Sequence, residues 1–253
     1  MTAPLHRFAS LERVEGLSHG FSTREGPGGA PLAVSLRACP DAARVIEHRA
    51  AVARAAGADP ERLVFGEQVH GAGVAIVGEG DLGRPPVPRV DALVTGTRRL
   101  YLAGLSADCP MVFLADPVRR AVGLVHSGWR STVLGACHAA VEAMQASFGS
   151  RPGDLVAAVS PSIGPCCFEV REDFVAKAMP AFRGREELLL RREGRTTFDL
   201  WEALRLQLLD AGLVDANVEV ARLCTRCLGD RFFSHRREGA LGGRCLSVLG
   251  WRA

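Results

Sequence analysis

The chain has 253 residues, 47% of them hydrophobic, enough to bury a sizeable core. A formal net charge of +3 gives no electrostatic argument for nucleic acid or a membrane surface, and no apolar run approaches the ~20 residues of a membrane span. Residues 1–10 lack the apolar centre of a signal peptide, and eight scattered cysteines do not form a disulfide framework, so a cytoplasmic protein with reduced thiols is expected.

In chain order, residues 17–23 read as a strand. Residues 41–56 read as a helix, with Asp41 after Pro40 as its N-cap and Gly57 as its stop. Residues 63–65 and 74–77 read as strands flanking Gln68-Val69-His70, followed by a Gly/Pro-rich loop at 78–88. The short apolar runs at 92–95, 101–106, 111–115 and 121–126 are poor in helix formers and separated by turn residues, which is a sheet pattern. Residues 131–148 carry helical periodicity, with Ser131 or Thr132 near the cap and Gly149 at the end. Residues 155–159 form a strand and 171–180 and 199–211 helices, the last opened by Asp199 and closed by Gly212. Residues 217–220 and 245–251 look β-like. Strands and helices mix without βαβ alternation. The expected fold is therefore α+β, a layered α/β sandwich with mixed or antiparallel sheets, in a single domain over residues 1–253.

Two motifs carry little weight. Gly78-Glu79-Gly80-Asp81-Leu82-Gly83 matches a dinucleotide fingerprint, but Pro85, Pro86 and Pro88 prevent the receiving helix, and Glu79 and Asp81 would repel a pyrophosphate. Cys224-Thr225-Arg226-Cys227 is a lone C-x-x-C without a second pair and reads as incidental thiols. The H-x-E signature of zinc deaminases is absent.

Three segments each offer one soft ligand at a strand-to-loop switch: His70 in Gln68-Val69-His70, Cys109 in Ala107-Asp108-Cys109-Pro110, and His126 in Val125-His126-Ser127-Gly128-Trp129-Arg130. Two imidazoles and one thiolate suit Zn²⁺, and three protein ligands leave a fourth position open, as in catalytic sites. Any one of these residues alone reads better as a packed side chain.

These segments, with others, resemble a bacterial family known both as polyphenol oxidase (laccase-domain, multicopper oxidase-named) and as purine nucleoside phosphorylase. The matching stretches include His19-Gly20-Phe21-Ser22-Thr23-Arg24, Gln68-Val69-His70-Gly71, Asp91-Ala92-Leu93-Val94-Thr95 and His126-Ser127-Gly128-Trp129-Arg130. Further matches are Ser160-Pro161-Ser162-Ile163-Gly164-Pro165-Cys166-Cys167-Phe168-Glu169-Val170, Phe198-Asp199-Leu200-Trp201 and Phe232-Phe233-Ser234-His235-Arg236-Arg237-Glu238. They occur in order over nearly the whole chain. The resemblance implies a cytosolic enzyme with one zinc held by His70, Cys109 and His126. It also implies phosphorolysis of adenosine, inosine and methylthioadenosine, and deamination of adenosine. The family usually has Gly after the Trp-Arg pair, where this chain has Ser131.

Phosphorolysis needs an anion site, for which Arg supplies a bidentate fork. Arg24, Arg130, Arg236 and Arg244 are the candidates, with His235 as a further substrate contact. Asp108, as acid/base or as the orienter of a ligand His, and Glu169 are the candidate catalytic carboxylates beside Cys109. Trp129 reads as packing, with stacking on a base as the alternative. The expected partners are a nucleoside and phosphate, with no nucleic acid and no membrane.

Three rival readings stay open. A copper polyphenol oxidase would use Met111 as a weak axial ligand, but seven histidines with no H-x-H pair are few for a multicopper enzyme, and copper is expected only as an adventitious occupant. A Cys109–His126 hydrolase or amidase acting on cell-wall precursors would leave His70 without a role. A structural zinc protein would need a closed four-ligand site, for which the chain has spare cysteines.

Overall fold

The computed structural model describes residues 3–182, 184–192 and 194–252. Its strands are β1 (Leu5–His6), β2 (Leu17–Ser22), β3 (Leu63–Phe65), β4 (Val74–Ile76), β5 (Ala92–Thr95), β6 (Tyr101–Ser106), β7 (Met111–Asp116), β8 (Ala121–His126), β9 (Val156–Val159), β10 (Leu189–Arg192), β11 (Arg195–Phe198), β12 (Val218–Val220) and β13 (Cys245–Trp251). The helices are α1 (Ala9–Glu12), α2 (Ala42–Ala55), α3 (Trp129–Val133), α4 (Ala136–Phe148), α5 (Glu172–Ala178), α6 (Leu200–Asp210) and α7 (His235–Glu238).

Two mixed sheets and a helical layer result, as the α+β reading expects. One sheet has the order β1-β2-β13-β6-β3, the other β12-β9-β7-β8-β5-β4, and β10 and β11 form a separate hairpin. The centre of the second sheet is antiparallel (β9-β7-β8-β5), with parallel pairs at its two edges.

Side-chain alternation divides its strands between two cores. In β7, Met111, Phe113 and Ala115 enter the core shared with Leu102 and Val248 of the first sheet. Val112 and Leu114 enter the other core, shared with Ala140 and Met144 of α4 and Leu204 and Leu208 of α6. Burial on both faces explains why these strands read as continuous apolar runs rather than as alternating ones.

Local chemistry sets the ends of the helices. Asp41 caps α2 by accepting from the Arg44 amide, and Asp199 caps α6 by accepting from the Glu202 amide. The helix expected over 131–148 is instead two. Gly135, at φ 78°, separates α3 from α4, and the first cap is Gly128 rather than Ser131 or Thr132. Both of those residues are buried, and Thr132 Oγ1 donates to the Gly128 carbonyl. The hairpin β10–β11 was not expected from the sequence, because its arginines break the apolar pattern.

This framework gathers one end of the second sheet. Register pairs Met111 at the start of β7 with His126 at the end of β8, and Ala92 at the start of β5 with Val125. The β6–β7 turn and the 66–73 loop close over the same end.

Candidate functional site

The ligand atoms of His70, Cys109 and His126 lie within 4.8 Å of one another. His70 Nε2 is 3.9 Å from Cys109 Sγ, close to the about 3.6 Å N–S edge of a tetrahedral zinc site built on ordinary Zn–N and Zn–S bonds. His126 is buried, Cys109 is half-buried and His70 is exposed, so the trio opens to solvent on one side.

Asp91, immediately before β5, organises the group. It is 3% exposed. One carboxylate oxygen accepts from the amides of Val69 (3.1 Å) and Gly71 (2.6 Å), and the other accepts from the His70 amide (2.9 Å). His126 Nδ1 is bonded to that second oxygen at 2.8 Å, and the His126 amide donates to the Asp91 carbonyl at 2.7 Å. One carboxylate thus folds the His70 loop and orients the His126 ring, leaving Nε2 as the ligand atom. The Gln68 side chain completes the loop by exchanging hydrogen bonds with the backbone of Leu105 in β6, at 2.8 and 2.9 Å.

The ligand-bearing loops are also conformationally tight. His70 and Asp108 both take positive φ, at 60° and 79°, an arrangement that costs energy outside glycine and recurs at functional sites. At Gly128 a Cβ would lie 2.8 Å from Cys109 Sγ, so only glycine lets α3 start this close to the thiol.

Charges reinforce the arrangement. Burial opposes ionisation of Cys109, but the His126 imidazolium and hydrogen bonds from both imidazoles outweigh it and bring the thiol down to about 6. Burial opposes the charge on His126, yet the Cys109 thiolate and Asp91 raise it to about 9. Burial would also raise Asp91, but His126 and the loop amides hold it below the usual carboxylate range. Without a metal the pair is a thiolate–imidazolium. With a borderline-soft cation, the same N₂S donors are ready as ligands.

A sequence profile described as multi-copper polyphenol oxidoreductase laccase matches residues 13–252. The chain belongs to this laccase-like family. It is 35% identical over 249 residues to "Purine nucleoside phosphorylase YlmD" of Geobacillus stearothermophilus, covering 94% of this chain and 91% of that protein. It is 32% identical over 257 residues to "Adenosine deaminase RL5" of an unknown prokaryotic organism, covering 97% and 98%. The crystal structure of Bacillus licheniformis hypothetical protein YfiH superposes with a TM-score of 0.89 at 32% identity, covering 98% of this chain and 99% of that one.

The other residues expected at the site of this laccase-like chain divide into two groups. Asp108 is buried beside the trio, but its carboxylate accepts from Thr225 Oγ1 (2.6 Å) and from the Arg236 amide (2.6 Å). The carboxylate that orients a ligand imidazole is Asp91 instead. Arg244 is close enough for Cys109 and Asp108 to act on its charge, although burial dominates and lowers its pKa. Its guanidinium donates to the Gly243 carbonyl at 2.9 Å, and it lines a groove of about 320 Å³ with Leu32, Val34 and Phe233. Arg236 is exposed, and its guanidinium reaches the Cys167 carbonyl at 3.4 Å.

The second group is engaged elsewhere. Arg24 donates to the Gly229 carbonyl and pairs with Glu238 at 3.2 Å. Arg130 is exposed and stacks over Trp129, which itself packs edge-on against Phe174. His235 is exposed at the start of α7, with Nδ1 3.1 Å from the Gly239 carbonyl. Glu169 is exposed, and its backbone bridges to Thr197; among the described residues no hydrogen bond or ion pair joins it to the trio. The Met111 thioether packs over Gly104 in the core between the sheets.

Sequence reasoning assigned no role to Asp91, Gln68 or Thr225. Asp91 had a visible signal, an acid directly before an apolar strand. Thr225 had none, because its link to Asp108 spans 117 residues.

Proposed function

We propose that His70, Cys109 and His126 hold one zinc ion in an enzyme of purine nucleosides. The enzyme would phosphorolyse adenosine, inosine and methylthioadenosine to the base and the corresponding pentose 1-phosphate, and deaminate adenosine to inosine. One observation carries this reading: an open three-ligand N₂S site whose second imidazole is oriented by the buried Asp91. The relatives named purine nucleoside phosphorylase and adenosine deaminase supply the substrate class.

When bound, zinc would supply Lewis acidity and lower the pKa of a water toward ~7. The chain's own groups do the rest. Asp91 keeps His126 in one tautomer. Arg244 and Arg236 are the cations proposed to receive phosphate oxygens, and the groove that Arg244 lines with Leu32, Val34 and Phe233 is the surface proposed for a base or ribose. Asp108, between Cys109 and Arg236, is the carboxylate proposed to exchange a proton with the substrate and to fix the Arg236 backbone. Glu169, Arg24, Arg130 and His235 are assigned no part in these steps.

The thiolate–imidazolium pair with Asp91 behind it favours a second reading, a cysteine hydrolase or amidase in which Cys109 attacks and His126 transfers the proton.

The test is to purify the protein without added metal, measure its metal content, and incubate it with adenosine with and without phosphate. Phosphate-dependent adenine and ribose 1-phosphate support phosphorolysis, and inosine supports deamination. Polyphenol oxidation that requires copper, with no purine product, supports the oxidase. Absence of both zinc and purine products overturns the leading reading and moves the hydrolase to first place.

A further inference from the structure

The lone C-x-x-C acquires its second pair in the fold. A turn at residues 164–167 brings the adjacent Cys166 and Cys167 against Cys224 and Cys227, and the four Sγ atoms lie within 4.8 Å of one another. Cys227 Sγ is 3.6 Å from Cys166 Sγ and 3.4 Å from Cys167 Sγ. A disulfide needs about 2.05 Å, and all four thiols are free. A tetrahedron of sulfurs around zinc, at the usual Zn–S length of about 2.3 Å, has edges of about 3.8 Å. The observed spacings fit that tetrahedron.

The backbone holds the two turns in place without help from the sulfurs. Ser162 pairs with Cys224 as a parallel bridge, through Ser162 N to the Leu223 carbonyl (3.1 Å) and Thr225 N to the Ser162 carbonyl (3.0 Å). Gly164 N–H points at Cys224 Sγ from 3.3 Å, as amides do toward metal-bound thiolates. Trp201 seats the first turn. Its indole donates to Ser162 Oγ at 2.7 Å, and a Cβ at Gly164 would lie 2.4 Å from its ring. The exposed Arg226 and Arg236 flank the cluster and would offset the charge of four thiolates.

We propose that Cys166, Cys167, Cys224 and Cys227 form a closed tetrathiolate site for a structural zinc ion, separate from the His70–Cys109–His126 centre. Four soft ligands and no open position make it structural rather than catalytic. It would clamp the segments that reach Asp108, through Ile163 N to the Asp108 carbonyl (2.9 Å) and Thr225 Oγ1 to its carboxylate (2.6 Å). Its residues are therefore positioning residues for the wall of the first centre.

The experiment isolates the full chain anaerobically, without chelator, as wild type, as His126→Ala and as the triple variant His126→Ala/Cys224→Ser/Cys227→Ser. The His126→Ala background removes the first centre from the count, so the result does not depend on what that centre holds. About one zinc per chain is expected to remain in His126→Ala and to be lost when the two serines are added. Should the serine variant not fold, cobalt loading of His126→Ala supplies the readout, with an intense thiolate-to-cobalt charge-transfer absorption expected. Three results would overturn the proposal: His126→Ala isolated without zinc and giving no such absorption with cobalt, a Cys167–Cys227 or Cys166–Cys227 disulfide in the freshly isolated chain, or an iron–sulfur chromophore.

Discussion

The two sulfur-bearing clusters solve different problems. The His70–Cys109–His126 group stands at the ends of central strands, and a buried carboxylate fixes it from behind. It offers three donors, with one imidazole exposed. The Cys166–Cys167–Cys224–Cys227 group stands on two surface turns, offers four donors, and has backbone amides rather than a carboxylate behind it. An open site needs rigid support, because it must keep its geometry while a ligand comes and goes. A closed site draws rigidity from the metal it holds. Asp108, Thr225 and Arg236 connect the two.

Removing the carboxylate should separate the clusters most sharply. Asp91→Ala would strand three loop amides and the His126 ring, at a cost of about 3–5 kcal/mol in urea unfolding, and would empty the first centre. Metal at the four cysteines should remain, and loss of both metals together would show that the clusters are not independent. Thr225→Val cuts the connection instead. It takes a donor from a buried carboxylate and should cost about 2 kcal/mol of stability while turnover falls and both metals stay.

The thiols themselves should differ in the metal-free protein. Cys109 is drawn down to about 6 by its imidazoles. Cys227 is pushed up to about 11 by hydrogen bonding to Cys167, by burial and by Cys224, against a lowering contribution from Cys166. Near pH 7, iodoacetamide should therefore modify Cys109 about 30-fold faster than Cys227, the larger thiolate fraction outweighing its lower intrinsic nucleophilicity. Cys109 is an acid with a lowered pKa, so its rate should hold from pH 8 to 7 and fall as pH drops through 6. A midpoint near 9 would dismiss the thiolate–imidazolium pair. The smallest change is Gly128→Ala, whose methyl would crowd Cys109 Sγ. It should weaken metal at the first centre about tenfold in a competition titration and leave the melting temperature nearly unchanged.

Much of this was legible in the chain. The strands at 63–65, 92–95, 101–106, 121–126 and 245–251 match the structure residue for residue, because apolar runs bounded by turn residues have few other ways to be buried. Asp41 and Asp199 marked their helices because capping is a local interaction. The trio could be read because each ligand sits in its own distinctive segment and the donor set is chemically coherent. The break at Gly135 was harder to see, since periodicity on either side of it is the same.

The chain by itself determined most of the elements, the Asp41 and Asp199 caps and the three soft donor residues, all of which are read from neighbours a few residues away. Only the tertiary structure decided that Asp91 serves both His70 and His126, that Asp108 is held by Thr225 and Arg236, and that Cys166 and Cys167 meet Cys224 and Cys227. Those contacts join residues 21 to 128 positions apart. Sheet register and loop closure set such distances, and no local pattern in the chain encodes them.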